Sequence, residues 1–191
     1  MDLLLKKTFS HYSGSEHKIA VVSGMHPHEE LSTEVLSSVV KMYAFFNNVE
    51  IVNYQVTVED NPEDFYKSRA NGESLVHDYV VKDIAKEDFD LVIIGHDHEE
   101  GYGERFYIVT PSMDSKLVEL GDKVMKQVPE FNYYKRNKSQ SAKSSSITTV
   151  DDPIITTGTP LFVYEIFEWL DFSEAFSKSH DLISASHELL N

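Results

Sequence analysis

The sequence predicts one α/β domain with a mostly parallel or mixed central sheet and helices on both faces. Three observations predict it. Two apolar runs, Ile19-Ala20-Val21-Val22 and Leu91-Val92-Ile93-Ile94, are continuous rather than alternating, as strands buried on both faces require. Segments of helical spacing alternate with strand-like ones along the chain, the order that builds parallel sheets with crossover helices. A length of 191 residues, 41% hydrophobic and 26% charged, suits a single well-covered core over residues 1–191.

Residues 19–22 form the first strand, closed by Ser23-Gly24. Residues 31–46 carry Leu31, Val35, Leu36, Val39, Val40 and Tyr43 at helical spacing and end at Asn47-Asn48. Residues 49–58 read as a second strand. It stops before Asn61-Pro62, because proline restricts its predecessor and cannot extend a ladder. A helix over 74–86 groups Leu75, Tyr79 and Ile84 and leads into the strongest strand, 89–94, which should be central. A short strand at 106–109 precedes a helix opened by Pro111-Ser112 and running to Val128, then another strand at 131–134. Residues 137–149, rich in Ser, Lys and Thr, read as the main flexible loop. A strand at 161–167 and a helix over 173–190, capped by Ser173, follow.

Charge narrows the partners. With 17 Lys+Arg against 32 Asp+Glu the formal charge is −15, so the mean field repels phosphate backbones and anionic lipid. Neither nucleic acid nor a membrane is an expected partner. The one dense basic stretch, Lys135-Arg136-Asn137-Lys138 running on to Lys143, lies among serines and reads as a solvated loop. The Leu3-Leu4-Leu5 cluster is interrupted by Lys6 and Lys7 and has no leader-like continuation, and no apolar run reaches membrane-spanning length. A cytoplasmic protein is the expectation. The absence of cysteine leaves imidazole and carboxylate as the side chains available to a structural or catalytic zinc.

Those residues are concentrated just beyond two buried strands. In His26-Pro27-His28-Glu29-Glu30, two imidazoles and two acids occupy positions where an ordinary turn needs only small polar residues. His26 and Glu29 are three apart, so they converge if the chain is entering a helix, while His28 points elsewhere. In Gly95-His96-Asp97-His98-Glu99-Glu100, His96 is a third ligand candidate and His98 the alternative. An acid-decorated helix start with a surface histidine is the plainer explanation of either cluster, but it explains the pair less well. Zinc follows from ligand type, although manganese, iron, cobalt and nickel accept the same donors. Glu165 interrupts the apolar strand at Tyr164-Glu165-Ile166. Facing it outward would expose Val163 and Phe167, so a partnered or site-facing carboxylate is expected.

These motifs resemble those of the zinc carboxypeptidases of the carboxypeptidase A type, nearest to their aspartoacylase and succinylglutamate desuccinylase branch and its short archaeal members. The resemblance is carried by His26-x-x-Glu29, by Asp90 followed six positions on by His96, and by Gly158-x-Pro160 leading into Tyr164-Glu165, across residues 18–167. It implies one Zn²⁺ per chain held by His26, Glu29 and His96, with Glu165 as general base for an amide bond in a small-molecule or peptide substrate bearing a carboxylate. Of the three arginines, Arg69 follows Asn61-Pro62 as a substrate-contacting arginine does in that family, with Asn71 assisting and Arg105 as a second anion contact. The family's Asp-Leu-Asn-Arg signature is absent. His26-Pro27-His28-Glu29 is also similar to the His-Pro-Asp-Asp turn of zinc de-N-acetylases, and a metal-binding module without catalysis is the non-enzymatic alternative.

Overall fold

The computed structural model describes residues 2–11, 15–101, 103–137 and 144–190. Strands β1 (Leu3–Phe9), β2 (His17–Ser23), β3 (Val49–Thr57), β4 (Leu91–His98), β5 (Phe106–Thr110), β6 (Asn132–Lys135) and β7 (Leu161–Phe167) make one sheet in the order β1-β3-β2-β4-β7-β5-β6. β3, β2, β4 and β7 run parallel. β1 and β5 pair antiparallel to β3 and β7, and β6 lies parallel to β5. The helices are α1 (Glu30–Phe46), α2 (Phe65–Leu75), α3 (Lys82–Ile84), α4 (Ser115–Gln127), α5 (Asp152–Thr156) and α6 (Phe172–Glu188). A π-helical turn, Val76–Val81, joins α2 to α3, and a second, Ile147–Asp151, leads into α5. No helix among the described residues is long and apolar enough to cross a membrane.

The two-residue period of the strands sorts the core into two layers. Ile19, Val21, Leu91, Ile93, Phe162 and Tyr164 face one way and pack with α1, α4 and α6. Ala20, Val22, Val92, Ile94 and Leu161 face the other way, under α2, the first π-helical turn and α5. On this second face the same parity continues to His96 and His98 of β4 and to Glu165 of β7. The apolar cover ends there and polar residues take over at the carboxyl ends of the parallel strands, where ligands collect in open α/β sheets.

The structure departs from the sequence reading at several elements. β4 runs on through His98, so His96 and His98 are strand residues rather than loop residues, because pairing with β7 extends as far as His98↔Phe167. The helix expected over 74–86 begins earlier, with α2 at Phe65, where Asp64 accepts the Lys67 amide. Its polar sequence hides it, since only one face is buried. β1 is an edge strand made from the Leu3-Leu4-Leu5 segment, and Lys6 and Lys7 blunt its open side. Asp114 and Asp171, rather than Pro111-Ser112 and Ser173, cap α4 and α6. Of the segment read as a flexible loop, residues 138–143, including Lys138 and Lys143, lie outside the described residues, and 145–149 are helical.

β1 is pinned by charge. Lys6 Nζ reaches Asp83 Oδ2 at 2.8 Å and Glu87 Oε1 at 3.1 Å, next to α3. Lys6 holds the Asp83 carboxyl, and Lys18 with Lys6 the Glu87 carboxyl, below the usual range. Depressed carboxylates contribute stability above their unfolded values and lose it as pH falls through their folded ones. The protection of β1 amides, normalised to their intrinsic exchange rate at each pH, is therefore expected to fall before that of β2 and β4 as pH drops from about 5 to about 3. The effect is about 1 kcal/mol or less, because the groups are solvent-screened. A Lys6→Ala chain should lose this differential; protection in β1 that falls no earlier than that in β2 and β4 in the wild type would refute it.

Candidate metal centre

Two glycines make room for the site. Gly24 ends β2 at φ +73°, and a Cβ there would meet the Val56 carbonyl oxygen at 2.3 Å, so the chain turns tightly under β3 before presenting His26. Gly72 brings α2 against the same turn, where a Cβ would stand 1.8 Å from the Met25 carbonyl oxygen. Glu29 occupies the N-cap position of α1. Asp97, on the face of β4 opposite to His96, accepts the Leu31 amide at 2.9 Å and the Ser32 amide at 2.8 Å. It thereby ties the helix start that carries Glu29 to the strand that carries His96.

The three candidate ligands meet in a buried knot. His26 Nδ1 and His96 Nδ1 lie 2.9 and 2.8 Å from the same oxygen, Glu29 Oε1, and the His26 amide donates to Oε2 at 3.1 Å. The rings stack with centroids 4.8 Å apart, and one ligand atom from each residue falls within 4.8 Å of the others. His28 is exposed at φ +70° and takes no part. Burial opposes ionisation of Glu29, but His96 and His26 outweigh it and hold the carboxyl at about 2. Burial likewise opposes the charge on His96, yet Glu29 draws its pKa up to about 9. Burial raises Asp97 to about 6 against its two amide contacts.

β-sheet register puts Glu165 directly beside His96 on one side and Tyr107 on the other. Burial pushes its pKa up, offset in part by His96. Together with the triad it lines a cavity of about 800 Å³. Arg69 stands at the mouth, its guanidinium 5.2 Å from the ring centroid of the exposed Phe65, and it also borders an adjoining recess of about 250 Å³. The other two expected substrate contacts are elsewhere. Arg105 is exposed and paired with Glu174 on α6 at 2.7 Å, and Asn71 donates to the Asp60 carbonyl at 3.3 Å. The reason is topological: Arg105 precedes β5 at the rim of the sheet, and Asn71 is two positions from Arg69, on another side of α2. His98 lines the cavity beside Tyr107, with its Nε2 buried and without a hydrogen-bond partner among the described residues.

Three residues that the sequence reading passed over belong here. Glu73 is buried, its Oε1 3.3 Å from His26 Nε2 and accepting from Ser145 Oγ at 2.8 Å. Burial would raise its pKa, but these two contacts keep it lowered. It lies four residues after Arg69, a same-face helical spacing that would have flagged it had α2 been recognised. Asp151 and Arg136 are both buried in the cavity wall. Arg136, expected in a solvated loop, is instead held at the end of β6, where its amide donates to the Thr110 carbonyl at 3.0 Å.

Two imidazoles and one carboxylate, buried and with both Nδ1 atoms aimed at one point beside a large cavity, form a donor set that fits Zn²⁺ with a position left for ligand. Glu73 supplies the carboxylate behind His26 that commonly orients a metal-ligating imidazole. A Glu73→Gln chain is expected to bind zinc about 10- to 100-fold more weakly, read by competition with a chromogenic chelator; unchanged affinity would reduce Glu73 to a packing role.

No protein-family profile matches the chain, and no curated protein matches it. Solved structures do. A metallo-carboxypeptidase from Pseudomonas aeruginosa, in complex with (2-guanidinoethylmercapto)succinic acid, aligns over 98% of this chain and 60% of its own with a TM-score of 0.66 and 14% identity. A metallo-carboxypeptidase from Burkholderia cenocepacia aligns over 97% and 60%, TM-score 0.67, at 11% identity. The mDAP-bound form of Helicobacter pylori Csd4, a D,L-carboxypeptidase, aligns over 98% and 54%, TM-score 0.60, at 12% identity. The fold is thus that of the metallo-carboxypeptidases, and the chain spans little more than half the length of these neighbours.

Proposed function

We propose that this chain is a metal-dependent hydrolase that cleaves an amide bond in a small carboxylate-bearing substrate, an N-acyl amino acid or the C-terminal end of a peptide. The observation that carries this reading is the convergence of His26 Nδ1, Glu29 Oε1 and His96 Nδ1 on the wall of a cavity that also holds Glu165. His26, Glu29 and His96 would hold one Zn²⁺. When bound, zinc supplies Lewis acidity that makes water a nucleophile near neutral pH and polarises a carbonyl.

The remaining chemistry belongs to side chains of the chain. Glu165 takes a proton from the attacking water and gives it to the leaving nitrogen as the C–N bond breaks, acting as base and then as acid. A pKa raised by burial suits a group with both duties. Arg69, braced on Phe65 at the mouth, offers a bidentate donor pair to a substrate carboxylate. The neighbours support the substrate class, since the Pseudomonas enzyme was captured with a succinic acid derivative. N-acyl amino acids enter through the resemblance to the aspartoacylase branch.

Elemental analysis of protein purified without chelator, followed by hydrolysis assays across N-acyl amino acids and short peptides, tests the reading. No metal even after zinc is added back would overturn it. A metal-binding module without turnover is the second reading, favoured by the positions of Asn71 and Arg105 away from the cavity. One bound metal with no hydrolysis across the panel would select it.

A further inference from the structure

Glu73 is a buried carboxylate, 2% exposed, with two partners on one oxygen: Ser145 Oγ at 2.8 Å and His26 Nε2 at 3.3 Å. The shorter contact comes from the stretch 144–147, which forms one wall of the cavity. The far end of that stretch is held by packing, since Val150 and Ile154 are fully buried in the second core layer. In its middle, Pro153 has no N–H to give the Thr149 carbonyl its ordinary helical partner four residues on, and His77 Nδ1 of the first π-helical turn stands 2.8 Å from that oxygen. At the near end, Ser144 bonds to Ser146 and the Thr148 hydroxyl to the Ser145 carbonyl, all within the segment. The Ser145 hydroxyl reaches out of it, to the carboxylate behind a candidate metal ligand.

We propose that Ser145 is a positioning residue for the metal: its hydroxyl fixes the Glu73 carboxylate behind His26, so that loading of His26 and docking of the 144–147 wall favour each other. The proposal rests on the metal-site reading and adds to it a link between the ligand set and the wall that faces the substrate. With Nδ1 committed to a metal, His26 carries its hydrogen on Nε2, and the oxygen opposite must stay within reach as an acceptor. The bond from Ser145 keeps Glu73 Oε1 in that place. A buried carboxylate that loses one of its two partners turns toward another donor, and the imidazole it orients loses definition. Coupling of this kind is reciprocal. A His26 ring fixed by metal fixes Glu73, and Glu73 in turn holds Ser145 and the first turn of the wall.

Zinc affinity read by competition with a chromogenic chelator, together with hydrogen exchange of residues 146–149 with and without zinc, tests the link. Ser145→Ala is expected to bind zinc about fivefold more weakly, a smaller loss than that for a carboxylate in direct contact with the ligand. Ser145→Thr, which keeps the hydroxyl, should recover the wild-type affinity. Because Ser145 acts through Glu73, its replacement by alanine should cost nothing further in a Glu73→Ala background. Zinc should raise the protection of 146–149 in the wild type and leave it unchanged in Ser145→Ala. Equal affinities of the wild type and Ser145→Ala, a Ser145→Thr chain no better than Ser145→Ala, a loss undiminished in the Glu73→Ala background, or wild-type protection indifferent to bound zinc would each overturn the proposal and leave the metal site standing. A wild type that binds no zinc would overturn the metal-site reading itself, and this proposal with it.

Discussion

A Glu165→Gln chain is expected to retain its zinc and to lose amide hydrolysis by a factor of about 10²–10⁴, the usual contribution of a positioned general base. Glutamine preserves the shape and hydrogen-bonding reach of the side chain but accepts no proton at neutral pH. Glu165 is held by ladder pairing between β4 and β5 and is not one of the three converging ligands, so its replacement should leave both the sheet and the metal-binding atoms where they are. The measurement pairs zinc content per chain with turnover of whichever N-acyl amino acid or peptide the wild type hydrolyses. Metal retained with full activity would remove Glu165 from the reaction. Loss of metal together with activity would make it part of the ligand set.

His96→Ala, and separately Glu29→Ala, should abolish zinc binding and with it the stabilisation that zinc confers. A ligand that binds only the folded state at 1,000 times its dissociation constant stabilises by about 4 kcal/mol. For a chain of this size that corresponds to a rise in melting temperature of roughly 10 °C. The wild type should show the rise on adding zinc and reverse it with chelator, and neither variant should respond. A His28→Ala chain serves as control, because His28 is exposed and outside the knot. A wild type indifferent to zinc would sink the metal site. A response that persists in both variants would move it elsewhere in the chain.

Particular residues show how far the sequence could be read. The β2 and β4 runs needed no partner to be recognised, because four consecutive buried aliphatics have few other uses. His26 and Glu29 were legible through a three-residue spacing at a helix start, and Glu165 through its apolar flanks. Glu73 was not, because its helix is polar and its significance lies in a contact 47 positions away. Arg136 was misread for a similar reason. Among lysines and serines it has the local signature of a loop, whereas the pairing of β6 with β5 carries its backbone to Thr110 and its side chain into the interior. Arg105 was misplaced in the opposite sense, since nearness in sequence to His96 says nothing about which rim of the sheet receives it.

By itself, then, the sequence determined the α/β class, the buried strands and the residue types able to hold a metal, since each depends on periodicity or spacing within a few residues. The tertiary structure decided which of those residues meet. It set Glu165 beside His96 through strand register, Glu73 behind His26 through the close approach that Gly72 permits, and Arg136 beside Asp151 through the sheet edge and the π-helical turn. Such meetings are settled by which helices cover which face of the sheet. That is a property of long-range packing, and no local pattern of residues encodes it.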